Sequence, residues 1–95
     1  MYARMVIGEA LSEDNVREFS CIFKEQLQPA LLKESGYKTS GLLIEEGGNM
    51  VIVITDWESR DHCLKHHSSR LYRQFVAKTQ HLLIGEFVVK LFRLG

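Results

Sequence analysis

What this chain lacks narrows it quickly. It has no excess of either charge: twelve lysines and arginines balance twelve aspartates and glutamates. A surface for nucleic acid or anionic membrane needs a concentrated positive field, so neither partner is expected. The basic residues Arg60, Lys65, Arg70, Arg73 and Lys78 are spaced as the solvated face of a helix. Only two cysteines occur, Cys21 and Cys63, with no CxxC pair. Disulfide scaffolds of this size carry more, so a reduced, cytoplasmic protein is expected. The longest apolar run is Met50–Ile54, too short to span a membrane. The N-terminus shows no basic, apolar, small-residue order of a signal peptide. There is no linker, low-complexity tract or solenoid repeat. The 95 residues are therefore read as one domain, residues 1–95, burying about 60–65% of its unfolded surface.

What is present reads as six elements. Residues 3–11 are β-leaning and short. Ser12 offers an N-cap oxygen, with Glu13 and Asp14 in the favourable first turn. Apolar residues at 16, 19, 23, 27, 30 and 31 then predict a helix over 13–34. The only proline, Pro29, removes a backbone donor inside it, so a kink is expected a turn earlier. Gly36 stands where a left-handed C-cap belongs. Residues 37–46 and 50–57 are β-like and separated by Gly47, Gly48 and Asn49, a hairpin signal. Ser59 can cap a short helix and Ser68 or Ser69 a longer one, with an apolar stripe through Leu64, His67, Leu71 and Phe75. Residues 85–94 close the chain as a strand.

The order βαββαβ predicts an α+β, ferredoxin-like fold: a four-stranded antiparallel sheet with helices on one face. A sheet with one wet face should alternate apolar and polar residues. Met50–Ile54 does not alternate, and Phe87–Phe92 carries apolar residues at both parities. Something must cover the second face, and an identical subunit would remove an apolar patch of a size monomers rarely expose. A homodimer is expected.

Asp56–Ser59 ("DWES") closes the third strand, and a histidine, His66, follows the tryptophan by nine residues. "SSRLYRQF" comes next, so that Trp57, Ser59, His66, Ser69 and Phe75 form a spaced set. With the βαββαβ order, this resembles the antibiotic biosynthesis monooxygenase (ABM) domain family over nearly the whole chain. The resemblance implies a dimeric α+β barrel with a pocket between sheet and helices. The family includes cofactor-independent oxygenases of quinols and polyketide aromatics, haem-degrading oxygenases and an isomerase. Leu71 stands where many quinol-oxidising relatives have a second histidine. The haem degraders use an asparagine in strand one, and Ala3–Leu11 contains none, which disfavours haem cleavage. The activity implied is a cofactor-independent monooxygenase acting on a quinol or a phenolic, polyketide-type aromatic. The alternative is a non-catalytic homodimer of the same fold that binds a small molecule or is purely structural.

The histidine-rich stretch 61–75 carries the candidate chemistry. His62 and His66 share one helix face, and Cys63 and His67 the next. These faces lie roughly 100° apart and no third ligand is placed nearby, so no metal site is expected. His66 matches the family position and is the expected catalytic base, taking a phenolic or enolic proton. Trp57, Tyr72 and His67 are the expected substrate contacts: an indole with one N–H, a phenol, and a ring on the apolar stripe. The stripe makes His67 a half-buried core residue, while His62 and His81 are read as surface residues. The expected ligand is a small apolar or aromatic molecule, with no cofactor.

Overall fold

The computed structural model describes residues 1–95. Strand β1 (Tyr2–Glu9) leads into helix α1 (Glu13–Ile22), a π-helical turn (Phe23–Leu27) and the short α2 (Gln28–Leu31). Strands β2 (Tyr37–Ile44) and β3 (Met50–Trp57) form a hairpin. Helices α3 (Arg60–His67) and α4 (Arg70–Thr79), a 3-10 turn (Gln80–Leu82) and β4 (Val88–Arg93) complete the chain. The strands make one antiparallel sheet in the order β2-β3-β1-β4, with the helices on one face. No helix is long and apolar enough to cross a membrane.

The helix starts are where the hydroxyls are. Ser12, Ser59 and Ser69 each accept a hydrogen bond from the backbone N–H three residues on, so each supplies one of the acceptors that a first turn lacks. Gly36 and Gly47 take positive φ, 79° and 74°, at the two turns that flank β2. At Gly36 a Cβ would also collide with the ring of His62.

The kink expected before Pro29 is the π-helical turn, in which the Gln28 N–H donates to the Phe23 carbonyl. This wider turn also serves packing. Phe19, Phe23, Leu27 and Leu31 are all buried at intervals of four. In a regular α-helix such a row drifts about 40° per step, roughly 120° over three steps. A turn with one extra residue brings Leu27 and Leu31 back over the sheet.

The stripe expected through Leu64, His67, Leu71 and Phe75 does not form. The inner face of α3 is Cys63 and His66, and Leu64 and His67 are exposed. The inner face of α4 is Tyr72, Phe75 and Thr79. The break at Ser68–Ser69 resets the helical phase, so positions on either side of it do not share a row. His67 is therefore no core residue.

Both faces of the sheet are apolar. Val6, Val51, Val53, Thr55 and Trp57 point under the helices and are buried. Met5, Ile7, Ile52 and Ile54 point the other way and are half-buried, with exposed Leu43, Val88 and Phe92 beside them. No helix covers that side.

Candidate functional site

The helix-facing side of β1 carries Arg4, Val6 and Gly8 in succession. Gly8 is a packing requirement: a Cβ there would meet Phe87 at 2.9 Å and Leu83 at 3.3 Å. The gap lets Phe87 lie on the sheet, stacked on Phe75 with centroids 6.3 Å apart and edge-on to Phe19 at 6.1 Å. Phe87 and Leu83 then form one wall of a cavity of about 400 Å³, and α4 forms the other through Tyr72 and Val76. His67 borders it at the end of α3, and the exposed Arg73, Gln80 and Glu86 give it a polar rim.

Arg4 lies against the two residues on that cavity's inner side. It is 1% exposed. Its Nη2 donates to His67 Nδ1 at 2.8 Å, and its guanidinium carbon sits 4.0 Å from the centre of the Tyr72 ring. Its Nε has no partner, and no carboxylate pairs with it. Burial pulls the arginine's pKa below its usual value, with Tyr72 acting in the opposite sense. The group stays charged nonetheless. Because an arginine N–H can only donate, His67 Nδ1 must accept, which leaves the proton of a neutral imidazole on Nε2. Partial burial, then the Arg4 charge, hold the His67 pKa below its ordinary value and favour that neutral form.

His66 and Trp57 belong to a different recess. Trp57 is fully enclosed, and its Nε1–H donates to Thr55 Oγ1 at 2.8 Å. Tyr37 meets it edge-on at 5.9 Å, and the His66 ring stacks on it at 4.7 Å. His66 is 3% exposed, and its Nδ1 lies 3.3 Å from Glu34 Oε1. Burial, then repulsion from Arg4, lower its pKa to about 4 against the pull of Glu34. The imidazole is thus neutral at pH 7 and donates its Nδ1–H to Glu34. Trp57, His66 and Glu34 border a cleft of about 130 Å³ with Ser35, His62 and Lys65.

Of the four residues singled out from sequence, Tyr72 and His67 meet at the larger cavity. Trp57 and His66 lie behind Tyr72, whose ring is 5.7 Å from that of His66. The other members of the histidine-rich stretch point elsewhere: His62 Nδ1 is 2.7 Å from Ser59 Oγ, and Cys63 is a buried free thiol. The residue that sequence reasoning missed is Arg4. In the structure burial alternates along β1 and puts Arg4 on the side of Val6, but Met5, Val6 and Ile7 are apolar in a row, so residue type alone does not mark that side as the buried one.

Solved structures of the same fold include a monooxygenase from the gene ActVA-Orf6 of Streptomyces coelicolor, in complex with the ligand nanaomycin D. It matches at a TM-score of 0.87 and 11% identity over 99% of this chain and 87% of that one. Rv0793 of Mycobacterium tuberculosis matches at 0.78 and 15%, over 99% and 95%. A conserved protein of Methanosarcina mazei Go1 matches at 0.78 and 20%, over 98% and 92%. No curated protein matches the sequence at a significant level. At such identities the structural likeness speaks to fold alone, and it agrees with the sheet order and helix placement above. The sequence itself goes further: residues 8–78, from the glycine under Phe87 into the last turn of α4, match the family model described as antibiotic biosynthesis monooxygenase, and the chain belongs to that family.

Proposed function

We propose that the protein is a monooxygenase that oxidises a phenolic or quinol-type aromatic with molecular oxygen and no cofactor. The observation that carries this reading is the cavity of about 400 Å³. Phe87, Leu83 and Val76 give it apolar walls, and Tyr72 and His67, backed by Arg4, give it one polar side. Such a space suits a flat apolar body with one oxygen to be held. Family membership and the ligand-bound Streptomyces coelicolor relative support a small molecule in this fold.

The reaction balances without an external reductant. A phenolate gives one electron to O2, and the phenoxyl radical and superoxide recombine at a ring carbon. The peroxide anion formed there takes up a proton from solvent, and the hydroperoxide then loses water together with the hydrogen of that ring carbon to leave a quinone. One oxygen atom enters the product as a carbonyl and the other departs in water. In this reading the phenolic proton leaves to solvent past the exposed rim. His66, enclosed between Trp57 and Tyr72, supports the wall of the site and is not the acceptor.

Oxygen-electrode measurements with a panel of quinols and polyhydroxynaphthalenes test the proposal. The wild type should consume O2, and Val76→Trp, which fills the cavity, should lower the rate at least about tenfold, the effect of misplacing a reactant. Binding of the same compounds with no uptake by any of them would replace the reading with non-catalytic small-molecule binding.

The reading includes a homodimer joined through the outer sheet face. Met5, Ile7, Ile52, Ile54 and Phe92 form a contiguous apolar surface there, and such surfaces mark interfaces. Sedimentation at micromolar concentration should give twice the mass of the chain, and Ile54→Lys, at the centre of that face, should give a folded monomer. A wild type sedimenting as a single chain would exclude the dimer.

A further inference from the structure

Arg4 presents an imbalance that nothing in the chain resolves. A guanidinium cannot shed its proton. Enclosing one without a counter-ion is costly, because its hydration is lost and no opposite charge replaces it. Here it is 1% exposed, its Nε is unpartnered, and no carboxylate approaches it. Its partners are a neutral nitrogen, His67 Nδ1, and the π-face of Tyr72. Both offer electron density and neither offers a negative charge.

The remaining groups do not supply one either. From α3, Cys63 is a buried thiol whose pKa burial pushes up, so it stays protonated, and His66 is engaged with Glu34. From β3 comes the neutral Thr55, spent on Trp57. On the cavity lining itself Arg73, from α4, is matched by one carboxylate, Glu86, and both are exposed to water and screened, so neither neutralises Arg4. The cavity therefore lies beside an uncompensated positive charge. The tie to Arg4 also fixes His67 as the Nε2–H form, a donor on the cavity's border.

We propose that Arg4 makes this cavity select its ligand as an anion: an aromatic with one acidic hydroxyl, taken up as the phenolate or enolate. Arg4 does not line the cavity, so it is a positioning residue that acts through its field and through the orientation of His67. The inference rests on the reading of this cavity as a phenol site and adds the ionisation state that the site prefers. It also supplies what the oxygen chemistry needs, since the anion is the form that gives up an electron.

The test uses para-nitrophenol, whose neutral and ionised forms differ in colour, titrated with pH in the presence of excess protein. Bound to the wild type, its apparent pKa should fall by at least about one unit, equivalent to tenfold tighter binding of the anion. Arg4→Met should abolish the shift. Its melting temperature should not fall, because an apolar chain of similar length replaces a buried unpaired cation. Arg4→Gln, which keeps a donor for His67 but no charge, should also lose the shift, which separates charge from tether. The proposal is overturned if the wild type fails to bind the probe, if it binds both forms equally, or if Arg4→Gln keeps the shift. Oxygen uptake without a shift would sink this inference alone. A shift without uptake by any phenol would sink the oxygenase reading and leave this one standing.

Discussion

Trp57→Ala should remove about 3–5 kcal/mol of folding stability, the range for deleting a large enclosed aromatic. A domain of this size has only about 5–15 kcal/mol in all, so the variant should sit near the edge of folding. The indole ends β3 opposite Tyr2 and Tyr37, and it ties the sheet to the helix layer. Tyr37 packs edge-on from β2, His66 stacks from α3, and Thr55 takes its only N–H. Truncation leaves a void, orphans a buried hydroxyl and lets water reach His66. Urea denaturation followed by circular dichroism measures the loss, since the only tryptophan is gone. Trp57→Phe, which keeps the stack and loses the hydrogen bond, should fall between the two. A loss below about 0.5 kcal/mol for the alanine variant, the level of an ordinary surface change, would mean that this end of the core is not close-packed.

Acid should weaken the fold through His66 over a defined window. Its pKa is lowered from 6.5 to about 4. In the unfolded chain the imidazole takes a proton as pH drops through 6.5, while the folded chain resists until about 4. The unfolded state therefore binds more protons between these values, and stability falls as pH falls. Above 6.5 the contribution is complete, and below about 4 the loss levels off. The full swing is on the order of 3 kcal/mol by linkage. Chemical denaturation at stepped pH should show it, and His66→Phe, which preserves the ring stack but cannot titrate, should be less acid-sensitive by about that amount. Equal slopes for the two proteins would mean that His66 is charged in the native state, with Glu34 overcoming burial.

Much of the fold was legible because each boundary had a chemical marker. Ser12, Ser59 and Ser69 carry the hydroxyls that helix starts require, and Gly36 and Gly47 turn at positive φ. The mainly β-branched run 50–57 reads as a strand from composition. Periodicity failed where phase is lost. The serines at 68 and 69 announce a second helix, but a list of apolar positions carries no phase across that break, so it aligns Leu64 and His67 of α3 with Leu71 and Phe75 of α4 in a row the two helices do not share. The π-helical turn was legible as a disturbance near Pro29, but its form depends on how Phe23 and Leu27 meet the sheet. The site was half legible. Tyr72 and His67 meet at one cavity, whereas His66 and Trp57, joined in the same family pattern, stack on each other in another recess. Arg4 was overlooked because β1 is apolar at both parities around it. Only the tertiary fold shows that its side is the dry one.

The separation of α3 from α4 has a consequence for how this pocket can change. His67 is the last residue of one helix, while Tyr72, Arg73 and Val76 belong to the next. The opposing wall, Leu83 and Phe87, is pinned to the sheet through Gly8 and the bridge between Ala10 and Leu83. The aperture is thus governed by the angle of a backbone joint two residues long, latched by Ser68 to Leu64 on one side and by Ser69 to Tyr72 on the other. If the cavity takes a ligand as proposed, substitutions at those two serines would change the size it admits while every wall residue stays the same.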